Sequence, residues 1–152
     1  MNSAHLHLMF THLPIVGIGI AVLLNIYAIF SKSNEIKKLT LWFYVLLGAF
    51  ALLAYFTGDG AEEIIKTYPG ISPDMIEDHE HAALFFFIGL MVISAVSMLG
   101  LYILKTKVQL LKKFNLYLLI AAIFVSTIAI KTGYSGGEIR HSEMKQGVYI
   151  KK

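Results

Sequence analysis

Residues 5–14 read His5-Leu6-His7-Leu8-Met9-Phe10-Thr11-His12-Leu13-Pro14, and an almost wholly apolar run continues from there to Phe30. Three histidines therefore occupy eight residues at the edge of a stretch that is long enough to cross a bilayer, which takes about 20 apolar residues. Ionisable groups are costly where water gives way to hydrocarbon, so each one there is a candidate functional residue. Pro14 falls in the first turns of the expected helix, where a missing N–H is best tolerated. Gly17, Gly19 and Ala21 leave a thin surface for a neighbouring helix or a flat ligand.

Three further apolar runs follow. The spans are expected at roughly 9–30, 39–56, 81–104 and 114–130. Trp42 and Tyr44, near the start of the second, read as interface anchors. Asn25 reads as a helix–helix hydrogen bond. Residues 62–80 carry two turn signals, Pro69-Gly70 and Ser72-Pro73-Asp74. Ser72 and Pro73 can open the third helix early, as cap and first position.

The whole composition points the same way. The chain is 57% hydrophobic and 15% charged over 152 residues, against about 25% charged in a soluble domain. The absence of cysteine excludes disulfides, thiolate metal sites, iron–sulfur clusters and covalently attached haem. No basic helix or aromatic-basic stripe suggests nucleic acid. The N-terminus lacks a basic segment followed by a small-residue cleavage site, so the first run is expected to be an uncleaved span. The loop 133–137 is glycine-rich but has no phosphate-loop lysine. No His-Glu-x-x-His is present.

Lysine sets the expected orientation. Lys32, Lys37, Lys38, Lys105, Lys107, Lys112 and Lys113 crowd the two short loops of one side, with Glu35 as their sole acid. The other nine acids and all six histidines belong to the opposite side. Lysine-rich short loops stay in the cytoplasm. Both termini and every histidine are then expected on the non-cytoplasmic side. The expected fold is an all-α transmembrane four-helix bundle of two repeated helical hairpins, residues 1–141, followed by a polar tail, 142–152. The repeat is read from His12 with Thr57-Gly58-x-Gly60 and His81 with Thr132-Gly133-x-x-Gly136, at His-to-Thr spacings of 45 and 51.

This connectivity gathers imidazoles and carboxylates into one layer. Two imidazoles from different helices can hold one haem iron axially. The leading expectation is a b-type haem on His12 and His81, with His7 and His141 as further candidates. Gly17, Gly58 and Gly133 would allow close approach. Phe10, Tyr55, Phe56, Phe85 and Phe86 would flank the ring, and Lys131 and Arg140 would meet its propionates. The lysine side has no histidine, so electrons could reach this haem but not cross the bilayer within the chain. The alternative is a non-haem Zn, Cu or Fe site on His7, His12, His81 and His141 with Glu62, Glu77 or Glu138. Glu77 and His81 stand one helical turn apart if the third helix starts early. A third reading is an accessory subunit of a larger membrane complex. His5 and His79 are read as surface or hydrogen-bonding residues.

These residues resemble a family of bacterial four-helix membrane proteins catalogued as a domain of unknown function. The resemblance rests on His5, His7, His12-Leu13-Pro14, Thr57-Gly58, His81, Gly136-Gly137 and His141, and covers residues 5–141. After Gly-Gly the family more often continues Leu-Val-Tyr-x-His, where this chain has Glu138-Ile139-Arg140-His141. The resemblance implies a multi-pass protein of the bacterial inner membrane. Family members are sometimes joined to cytochrome or other redox modules, which implies electron transfer with a periplasmic or membrane redox partner. A homo-oligomer is compatible with the same reading.

Overall fold

The computed structural model describes residues 2–106 and 111–140. Four helices make up the fold: α1 (Ser3–Phe30), α2 (Asn34–Ile65), α3 (Pro73–Thr106) and α4 (Leu111–Arg140). All four are long and apolar enough to cross a membrane. The polar tail and His141 lie outside the described residues, as does the side chain of Arg140.

Local chemistry sets the helix ends. Asn2 caps α1, its side-chain oxygen accepting from the His5 amide at 3.0 Å. The chain turns extended at Ser31, and Ser33 caps α2 by accepting from the Ile36 amide. Gly70 has φ +85°, a backbone state that glycine enters without penalty, in the turn that leads to α3. Pro73 then opens α3 at its first position, as the Ser72-Pro73 pair predicts.

Each helix packs against two neighbours in the order α1, α2, α3, α4 and back to α1, while the backbones of the diagonal pairs α1–α3 and α2–α4 stay further apart among the described residues. Fully buried Ile18, Leu41, Leu47 and Leu90 occupy the centre with Phe86, Leu118 and Val125. Val16, Leu23, Phe30, Val92, Phe124 and Ile130 face outward. Lipid tails are as apolar as leucine, so burial alone gives little reason for such helices to associate. Close fit and interhelical hydrogen bonds do that work. A Cβ at Gly48 would lie 2.5 Å from the Cβ of Ser94, so only glycine lets α2 and α3 approach this closely. Asn25 donates to the Tyr44 hydroxyl at 3.4 Å, and that hydroxyl donates to the Ala21 carbonyl at 3.3 Å.

Two expectations change here. Tyr44 is not an interface anchor. It is fully buried with its hydroxyl paired inside the bundle, and only Trp42 faces outward. The second and fourth helices do not end where hydropathy falls. They continue through Thr57-Gly58-Asp59-Gly60 to Ile65 and through Thr132-Gly133 to Arg140. Backbone hydrogen bonding does not stop because side chains turn polar, and no proline interrupts either segment. A helix of 34 residues such as α3 spans roughly 50 Å, well beyond a hydrocarbon core of about 30 Å. The extra turns build the layer that holds the histidines.

Candidate histidine site

At this end of the bundle, the start of α1 lies against the end of α2 and the start of α3 against the end of α4. Two imidazoles turn inward, one from each hairpin, and both are partly buried: His7 and His79. His7 Nδ1 lies 3.0 Å from the Ala54 carbonyl and 3.4 Å from Thr57 Oγ1. A carbonyl can only accept, so the Nδ1 of His7 carries the proton and donates it. Thr57 sends its own hydroxyl proton back to the carbonyls of Leu53 or Ala54, each at 3.0 Å, and leaves its oxygen as an acceptor.

His79 is held in the same way on the second hairpin. Its Nδ1 lies 3.0 Å from Ser135 Oγ. The Ser135 hydroxyl donates to the Thr132 carbonyl at 3.1 Å. Its single proton is thereby committed, so Ser135 accepts from His79. In the neutral form both rings therefore keep the proton on Nδ1 and leave the Nε2 lone pair available, the form that ligates metals.

The two clamps share one spacing. Ala54, Thr57 and Gly58 on α2 correspond to Thr132, Ser135 and Gly136 on α4: a carbonyl, a hydroxyl three residues on, and a glycine next to it. A methyl at Gly136 would lie 3.0 Å from His79 Cε1, and one at Gly58 3.8 Å from His7 Cε1. The glycines leave the face of each helix open where a ring lies against it.

The expected pair, His12 and His81, does not turn into the bundle. His12 is exposed on α1 and reaches only the Leu8 carbonyl of its own helix. His81 is exposed on α3. The internal repeat shifts accordingly: Thr57-Gly58 matches Ser135-Gly136 in space, not Thr132-Gly133. His79, expected as a surface or hydrogen-bonding residue, is half-buried and bonded to Ser135, and the phase of its helix explains why it turns inward. Ile76, His79, Ala82, Phe86, Leu90, Ile93, Ser97 and Gly100 recur at steps of three and four, the inward stripe of α3. His7 falls in the stripe of Pro14, Gly17, Ala21, Asn25 and Ala28 on α1. His12 and His81 fall outside these stripes.

The carboxylates contribute less than their number suggests. Lys66 pairs with Glu62 one turn before it, and Glu62 also meets Glu80. The exposed Lys66 ammonium is thereby held above the usual lysine range. Glu77 is exposed and Glu138 half-buried. Among the described residues, no three histidine, aspartate or glutamate side chains could hold one ion together. His5 is exposed and bonded to the Asn2 cap. Of the expected flanking aromatics, Phe86 is buried, Tyr55 stacks on Phe87 with ring centroids 4.5 Å apart, and Phe56 and Phe85 face outward.

The fold and site define a membrane protein with a pair of clamped imidazoles at one end of a four-helix bundle. A family model described as predicted membrane protein, DUF2231, matches residues 4–148, and the chain belongs to that family. No curated protein and no solved structure matches it.

Proposed function

We propose that this chain is a membrane-bound b-type cytochrome, in which His7 and His79 would hold the iron of one haem at the histidine end. The observation that carries this reading is the donor set: two partly buried imidazoles from different hairpins, each anchored through Nδ1, which leaves Nε2 for a metal when the ring is neutral. Haem supplies four equatorial nitrogens and asks the protein for two more. Structural zinc takes four protein ligands and catalytic zinc three, more than the described residues bring together. Gly58 beside His7 and Gly136 beside His79 keep side-chain bulk away from the rings.

When bound, the haem supplies one-electron redox chemistry. The chain's part is to fix the imidazoles. Ala54 and Thr57 orient His7, and Ser135 orients His79. The excess of lysine at the opposite end supports placing the histidine end on the non-cytoplasmic side of a bacterial cytoplasmic membrane. Electrons would then be exchanged there with a periplasmic or membrane partner.

The test is an optical difference spectrum of the purified full chain, dithionite-reduced minus oxidised, with metal content measured on the same sample. A Soret band and an alpha band with about one iron per chain are expected. Stoichiometric zinc or copper without either band would replace haem with the non-haem alternative. A metal-free sample that co-purifies with a stable partner would favour an accessory subunit.

A further inference from the structure

His81 and Lys131 have no part in the imidazole pair. They line the opposite, outward side of the same two helices. On α3, His79 turns into the bundle while His81 faces out, and on α4, Thr132 is buried while Lys131 faces out. Between them lies an open groove of about 520 Å³, lined further by Phe85, Phe124, Thr127 and Ile128. We infer that this groove binds an anionic phospholipid of the surrounding bilayer, with Lys131 and His81 at the phosphate and Phe85 and Phe124 along the acyl chains.

Three observations select that occupant. Lys131 ends the fourth apolar run, so its ammonium stands at the membrane edge, where an anionic lipid head group is attracted to it. No carboxylate lines the groove, and Lys131 has no carboxylate within ion-pair distance among the described residues. The polar pair is also confined to one part of the groove, with exposed aromatic and aliphatic side chains over the rest. An uncompensated cation beside an apolar trough matches the shape of a lipid with a phosphate head and hydrocarbon tails. A phosphodiester offers acceptor oxygens both to the ammonium and to an imidazole N–H. A neutral amphiphile such as a quinone would leave the Lys131 charge unbalanced.

The proposal is independent of haem, and its test does not read haem. The full chain is reconstituted in nanodiscs of mixed phosphatidylglycerol and phosphatidylcholine and released for native mass spectrometry, with retained lipids counted. The wild type is expected to retain phosphatidylglycerol in preference to phosphatidylcholine. Lys131→Gln should lower that preference roughly five-fold, the scale of one basic residue near an anionic membrane. Lys131→Arg should keep it, His81→Ala should weaken it, and Lys105→Gln at the other end should leave it unchanged. Equal retention of the two lipids by the wild type would overturn the proposal. So would a Lys131→Gln chain indistinguishable from Lys105→Gln, or a retained quinone in place of phospholipid.

Discussion

Ser135 is a small residue with a large assigned part. Its hydroxyl accepts from His79 Nδ1 and donates to the Thr132 carbonyl, so it transmits the position of a backbone atom to an imidazole ring. Partners of this kind fix the tautomer and aim of a ligating histidine, and their loss typically costs about 10–100-fold in metal affinity. Ser135→Ala is accordingly expected to weaken haem retention by about that factor, measured by transfer of haem from the purified protein to an excess of apomyoglobin. Ser135→Thr, which keeps the hydroxyl, should retain most of the affinity. Gly136→Val should displace the ring outright, because a Cβ already stands 3.0 Å from His79 Cε1. At this scale the sequence was only partly readable. It marked six imidazoles as unusual, but adjacent positions on a helix differ by about 100° in direction. That His79 turns inward and His81 outward follows only from the phase of α3.

That phase belongs to the helix as a unit, and hydropathy conceals it. In a soluble helix the apolar stripe reveals the inward face, whereas here lipid and core are equally apolar. Small and weakly polar residues mark the inward face instead: Gly17, Ala21, Asn25 and Ala28 on α1, and Ser97 and Gly100 on α3. The extents of the spans were legible for the opposite reason, since membrane thickness imposes a length on any apolar run. The helix ends at Ile65 and Arg140 were not, because polar turns beyond the hydrocarbon keep the same backbone pattern. Two substitutions test the packing. Gly48→Val, which drives a side chain into Ser94, should lower bundle stability by about 1–3 kcal/mol, read as loss of helical signal on titration from mild detergent into sodium dodecyl sulfate. Asn115 is almost fully buried on α4, and neither of its amide atoms finds a partner among the described residues. Asn115→Leu should therefore stabilise the bundle in the same titration by about 1–3 kcal/mol, the usual cost of an unmet buried polar group. A destabilised Asn115→Leu chain would mean that the amide is satisfied in the membrane.

The whole molecule is polarised along its long axis. One end holds the imidazole pair and most of the acids, and the other holds the lysine-rich loops. Because the chain has no cysteine, single cysteines can report sidedness without background. In intact spheroplasts, a membrane-impermeant maleimide should label Asp59→Cys and leave Ser33→Cys unlabelled until the membrane is opened, and the reverse pattern would invert the orientation. The central claim is that the two hairpins converge on His7 and His79 to hold one haem. The measurement that tests it most directly is haem content per chain, by pyridine haemochrome, across four single variants. His7→Ala and His79→Ala should each lose most of the haem, while His12→Ala and His81→Ala should stay close to the wild-type ratio. Full haem in the first two variants, or haem lost only in the second two, would contradict the account.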